Sequence, residues 1–222
     1  MQGNLGPAEL KTHLKNAKLS EEWLFQVHVI QRRAHLFSLL TDGLQKEMDF
    51  RRDIADSIGL AINEVGLVGS AQIGYSIKPY AKLREMDAEY KTSHRTSDMS
   101  DVDVAIVSRV YFEKVQREMH DFTKGFEVNW QFTKYYPTEG NLDHLDVKRA
   151  DHQFYRYLAQ GWIRPDFCPN GFNFGYIEAT NKWKKSLGRK ISIGIYRDWR
   201  CLRDYQQKAF KSLRDLAIKD EL

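Results

Sequence analysis

Asp101 and Asp103 stand two residues apart at the mouth of an apolar run, SDMSDVDVAIVS, covering 97–108. Val102, Val104, Ala105, Ile106 and Val107 read as a buried strand. Side chains two apart on a strand point the same way, with Cα atoms roughly 6.5–7 Å apart. Two like charges at the entrance to a core add no stability. They make chemical sense as a pair converging on a divalent cation, since Mg²⁺ accepts a few carboxylates together with phosphate oxygens and water. Such a cation removes the repulsion that would otherwise raise one aspartate's pKa.

A second stretch, VGLVGSAQIGYS at 65–76, supplies the complementary chemistry. The short apolar strand Val65–Val68 ends in Gly69-Ser70, and Gly74 follows. Glycine lets backbone N–H groups approach an anion closely, and the serine hydroxyl adds a donor. A helix beginning near Ala71 would also favour phosphate at its N-terminus. Phosphate cradle and acidic metal site together are the equipment of phosphoryl or nucleotidyl transfer. The plainer readings are a strand-ending turn for Gly69-Ser70 and a polar, turn-capping entrance for the aspartates. Asp98, three residues earlier, fits a solvated or capping role.

Periodicity gives the elements that must carry these residues. With Ser20 as N-cap, Trp23, Val27, Ile30, Ala34 and Phe37 recur at helical spacing, and a second helix shows Leu44, Met48, Ala55, Ile58 and Ile62 on one side. After the aspartate strand, Val110, Phe112, Val115, Met119 and Phe122 pattern as a helix. FEVNWQF, 126–132, reads as a strand, 146–160 as a helix capped by Gly161, and 164–171 as a loop. The basic stretch KWKKSLGRK, 182–190, leads into a strand at 191–196. Asp198 then caps a last helix carrying Trp199, Leu202, Tyr205, Ala209, Leu213 and Leu216. Helices alternating with few strands imply an α+β (mixed α/β) fold, a small mixed sheet flanked by helices. Residues 1–19 are polar and weakly patterned, so a flexible start is expected, followed by a single domain over 20–222.

Composition sets the outer bounds. The chain has 222 residues, 42% hydrophobic and 29% charged, with net charge +4; this is enough for a sizeable core and permits an anionic partner without demanding one. No apolar run approaches the ~18 residues that span a bilayer, and the N-terminus lacks the apolar core of a signal peptide. The two cysteines, Cys168 and Cys201, have no metal-type spacing, and a cytoplasmic protein without membrane partners is the expectation. Lys78, Lys82, Arg84, Lys91 and Arg95 are placed to clamp phosphates or simply to be solvated. Trp183, within KWKKSLGRK, offers a ring for a nucleic-acid base unless that stretch is just an exposed basic face.

Strand–Gly69-Ser70, followed by a strand opening Ser100-Asp101-Val102-Asp103-Val104, resembles the DNA polymerase beta-like nucleotidyltransferase superfamily. The likeness covers about 64–125 directly, within a core of about 64–130; 135–222 forms the remaining C-terminal part. It implies a nucleotidyltransferase fold and Mg²⁺ (or Mn²⁺) bound in two-metal form at Asp101 and Asp103. Gly69 and Ser70 would hold the triphosphate of an NTP such as ATP. The implied reaction moves a nucleoside monophosphate to an acceptor, with loss of pyrophosphate. The acceptor could be a protein, an RNA end, a small molecule or a nucleotide, and small stand-alone members occur in toxin–antitoxin and phage-defence settings. The implied third carboxylate has three candidates: Glu127, which opens FEVNWQF, Asp198 and Glu178. Ser70 and Asp101 are 31 residues apart, so 77–97 is an insertion relative to minimal members. The alternative function is an inactive module of the same fold that binds a nucleotide or a partner protein.

Overall fold

Parity along three short strands decides what the core is and where it opens. The computed structural model describes residues 6–128, 130, 133–138 and 141–222, with 133–138 and 141–150 described through their backbone. The strands are β1 (Val65–Val68), β2 (Val102–Val107), β3 (Thr133–Thr138), β4 (Asn141–Arg149), β5 (Trp162–Ile163) and β6 (Ile191–Tyr196). Four of them form a mixed sheet in the order β1-β2-β6-β5, while β3 and β4 pair as a separate two-stranded ribbon. β1 runs antiparallel to β2, β6 parallel to β2, and β5 antiparallel to β6.

Helices cover both faces of this sheet, so its strands are apolar on both sides, as sheets buried on two faces are. One face carries Val65, Leu67, Val102, Val104, Ile106 and Ile195 into a cluster with Phe50, Ile54, Phe112 and Trp183. These come from α4 (Gly43–Ser57), α7 (Arg109–Phe122) and α9 (Ile177–Leu187). Val102, Val104 and Ile106 are essentially fully buried, each contributing about 1.5–3 kcal/mol. The opposite face carries Val68, Ala105, Val107 and Tyr196 against Leu10, Leu14, Leu24, Leu202, Phe210 and Leu213. Those side chains belong to α1 (Pro7–Lys15), α2 (Glu21–Phe25) and the twenty-residue α10 (Trp199–Ile218). Asp103 has the parity of Ala105 and Val107, so it points to the α10 side.

The remaining elements are α3 (His35–Ser38), α5 (Gly69–Ile73), α6 (Ala88–Ser93) and α8 (Ala150–Ala159). Asp198 caps α10 as the sequence implies, its carboxylate accepting from the Cys201 amide at 2.9 Å. Among the described residues no helix is long and apolar enough to cross a membrane.

Several local expectations are corrected. The N-terminal stretch is not without structure: Pro7 opens α1, where its fixed φ and missing N–H are tolerated, and Leu10 and Leu14 are fully buried. The helix expected from Ser20 to Phe37 breaks after a π-helical turn at Gln26–Ile30. The buried amide of Gln72 explains the break, donating to the carbonyls of Val29 at 2.8 Å and Arg32 at 2.9 Å. In α4 the inner face is Gly43, Glu47, Phe50, Ile54 and Ala55, so Ala55 is buried as expected while Leu44 is exposed. Glu47 faces inward because its carboxylate accepts from the Ala34 amide at 3.3 Å. Phe126–Val128 lies in a turn after α7 rather than in a strand, with Phe126 at φ 66°, and the Glu127 and Val128 amides return to the Thr123 carbonyl. Of that expected strand, residues 129, 131 and 132 lie outside the described residues. The first four residues of the helix expected at 146–160 belong to β4.

The docking of α1 yields a prediction. Leu14→Ala should destabilise the chain by about 2–5 kcal/mol, the usual cost of emptying a leucine site in a core, read as a lower urea midpoint. A mobile N-terminal segment would leave the midpoint unchanged.

Candidate active site

The two motifs meet because β1 ends where β2 begins. Val68 is the register partner of Asp103 across the antiparallel pair, so Gly69 turns the chain directly beside that carboxylate. A Cβ on Gly69 would lie 2.4 Å from Asp103 Oδ2, and its φ of +67° is in the left-handed region. Glycine is therefore required here by the approach to the aspartate itself, whatever a bound anion adds. Ser70 follows at the rim of the same cavity.

On the other side of β2, the parallel register sets Ser192 beside Asp103. The Ser192 hydroxyl donates to Asp101 Oδ2 at 3.0 Å, and Lys190 Nζ lies 3.0 Å from the same oxygen. Among the described residues nothing donates a hydrogen bond to Asp103. Burial, and after it the negative charge of Asp101, pushes the Asp103 carboxyl up to about 6, with Lys78, Lys190 and Arg164 opposing. A carboxylate without a donor in a polar cavity, beside a second one with an oxygen to spare, is a donor set that suits a divalent cation.

The segment 77–97 is latched to this site. Arg189 forks onto Asp87, Nη1 to Oδ1 at 2.7 Å and Nη2 to Oδ2 at 2.5 Å, and also donates to the Ser100 carbonyl at 3.2 Å. Ser100 and Asp87 exchange two further bonds, amide to carboxylate at 2.9 Å and amide to hydroxyl at 3.1 Å. Burial works against the Asp87 charge, yet the Arg189 fork and the Ser100 bonds outweigh it and hold the carboxyl below its usual range. Because Ser100 precedes Asp101 and Arg189 precedes Lys190, one buried pair fixes the approaches of both β2 and β6.

The resulting cavity has a volume of about 780 Å³, within the range of small-molecule sites. Gly69, Ser70, Asp101 and Asp103 all line it, joined by Lys78 and Arg84 from the 77–97 segment and by Asp98. Lys82, Lys91 and Arg95 are not among its lining residues. None of the three third-carboxylate candidates reaches it either. Glu127 is exposed in the turn after α7, Glu178 sits in the first turn of α9, and Asp198 lies past the far end of β6. Among the described residues no group of three or more His, Cys, Asp and Glu side chains is arranged to hold a metal ion. Trp183 is buried and donates its Nε1 to Asp53 at 2.7 Å, so it offers no ring for stacking.

Sequence reasoning missed Ser192, Lys190 and the Asp87–Arg189 latch, together with Trp162, Arg164 and Tyr205, which also line the cavity. A signal for Ser192 was present: in ISIGIY, alternation puts Ser192, Gly194 and Tyr196 on the face opposite the isoleucines. No spacing rule announces the latch, whose partners are 102 residues apart. No protein-family model, curated protein or solved structure gives a match to this chain.

Two stability predictions follow from the electrostatics. An acid whose folded pKa is raised holds more protons folded than unfolded between its two pKa values, so stability falls as pH rises through that window. For Asp103 the window runs from its ordinary 3.8 to about 6. In EDTA, Asp103→Asn should therefore raise Tm above pH 6, with the gain vanishing below pH 4. At the latch, Asp87→Ala should cost about 1–3 kcal/mol by stranding a part-buried guanidinium, while Asp87→Leu with Arg189→Met should recover much of the loss; denaturant midpoints of both proteins decide it.

Proposed function

We propose that the chain is a Mg²⁺- or Mn²⁺-dependent nucleotidyltransferase that moves a nucleoside monophosphate from an NTP to an acceptor hydroxyl. The observation that carries this reading is the convergence of the Gly69-Ser70 turn on Asp103, a carboxylate with no donor among the described residues, in one cavity with Asp101. Asp101 and Asp103 would hold the cation. When bound, it would supply neutralisation of the triphosphate and acidify the acceptor hydroxyl. Ser70 and the amides of its turn would take the phosphate oxygens, and Lys78, Arg84 and Lys190 line the cavity with positive charge. The Asp87–Arg189 latch keeps Asp101 and Lys190 in register as the ligand enters. The resemblance in sequence supports the same reading and leaves the acceptor as a protein, an RNA end, a small molecule or a nucleotide.

A second reading has its own observation. The strand beside β2 offers Ser192 and Lys190 around Asp101, and no third carboxylate lines up with the pair among the described residues. A module that binds a cation and nucleotide without turning it over fits that arrangement.

Two measurements separate the readings. Mn²⁺ binding, followed by electron paramagnetic resonance, should weaken by more than about 100-fold in Asp101→Asn and Asp103→Asn, since losing a ligand exceeds the ~10–100-fold cost of losing a residue behind one. Far-UV circular dichroism should stay unchanged. Pyrophosphate release from labelled NTP, across protein, RNA and small-molecule acceptors, should appear in the wild type and vanish in both variants. Mn²⁺ and NTP binding with no release on any acceptor selects the second reading, and unaltered Mn²⁺ binding in the variants removes both.

A further inference from the structure

The cavity lining is of two chemical kinds: Asp101, Asp103, the Gly69-Ser70 turn and several cations, and beside them a set of aromatic rings. Trp162 stacks on Tyr196, with centroids 5.6 Å apart and planes within 6° of parallel, and packs against Tyr205 at 4.3 Å. Gly194 makes this possible: a Cβ there would sit 3.0 Å from both Trp162 Nε1 and Tyr196 Cε2. The Trp162 indole is buried and among the described residues its N–H has no acceptor. Leaving that donor unsatisfied costs stability, so the ring sits there at a cost that packing alone does not explain. Its effect is to hold Tyr205 on α10 at the cavity wall.

Tyr80 lines the same cavity, on the 3₁₀ turn Pro79–Ala81, which packs against α10. Its ring is 70% exposed and that of Tyr205 40% exposed, and both line the cavity. No ring contact joins the two among the described residues. An exposed aromatic ring on a protein surface is unremarkable alone. Two on neighbouring elements, lining one cavity with a phosphate-sized polar site, offer a slot for a planar aromatic guest.

We infer that this slot takes the base of the nucleotide, sandwiched between Tyr80 and Tyr205. The segment 77–97, tied to the site through Asp87 and Arg189, thus acts as one jaw of a base clamp. The inference rests on the proposed NTP site and names how its substrate is gripped. Stacking on an aromatic face is available to every base, so the clamp favours nucleotides over bare polyphosphate while discriminating little among bases.

The test compares Mg²⁺-dependent binding of the four NTPs with that of inorganic tripolyphosphate, by calorimetry, in wild type, Tyr80→Ala and Tyr80→Phe. The exposure of Tyr80 keeps the fold out of the comparison. NTPs should bind the wild type more tightly than tripolyphosphate. Tyr80→Ala should weaken NTP binding by about 5- to 150-fold, the range for a base stacked on an aromatic side chain, without changing tripolyphosphate binding, and Tyr80→Phe should restore it. NTP affinity unaffected by Tyr80→Ala, or NTPs no tighter than tripolyphosphate, overturns the clamp and leaves the phosphate site standing. If neither ligand binds the wild type, the NTP site fails and the clamp with it.

Discussion

The constraint on which the site depends is the Asp103 carboxylate, carried on a strand whose other side is pure core. β2 is covered on both faces, and at five of its six positions the residue is apolar and buried. At the sixth an acid faces the cavity with no donor among the described residues, and burial and the charge of Asp101 raise its pKa. A chain gains nothing from such a group in folding, because an uncompensated charge near a core costs more than a neutral side chain of the same shape. Its surroundings are built to tolerate it. Gly69 gives up a side chain to let the carboxylate fit, Ser192 and Lys190 attend to Asp101, and Lys78 and Arg164 bring positive charge near Asp103 without bonding to it.

The scaffold that holds this arrangement is assembled from distant parts of the chain. The sheet joins β1, β2 and β6 across more than a hundred residues, and the Asp87–Arg189 pair ties together the same two strand entrances. A buried bidentate pair is a poor source of net stability, since desolvation offsets most of its attraction. It is directional, however, and here the direction fixes which residues precede Asp101 and Lys190. The 77–97 segment thereby becomes a wall of the cavity, with Tyr80, Lys78 and Arg84 facing in.

The parts legible in the sequence were those decided locally. β1, β2 and β6 fall on the expected residues because short apolar runs bounded by Gly, Ser and Asp leave little choice. The pairing of Gly69 with Asp103 was legible as two motifs, though the reason for the glycine was not: its neighbour is a carboxylate across the strand pair. What failed depended on remote partners. The break after Ile30 is set by Gln72, the inward turn of Glu47 by the Ala34 amide, and the burial of Trp183 by Asp53. The turn at Phe126 defeated an apolar, aromatic-rich pattern that suits a strand equally well, because Thr123 collects the following amides.

The polarity of the cavity narrows what it can hold better than any single residue does. A free phosphate or sugar phosphate would satisfy the Gly69-Ser70 turn and the lysines but leave the exposed rings facing water. A planar apolar molecule would stack on Tyr80 and Tyr205 and leave Asp101, Asp103 and the cations of the lining unanswered. A ligand that answers both kinds of lining carries dense negative charge, with its cation, and a flat ring a few bonds away. A nucleoside triphosphate has that distribution. Ser192 stands on β6 beside Asp103, and in the proposed reaction the acceptor's activation is the step that would call on a third carboxylate there, whereas holding a nucleotide would not.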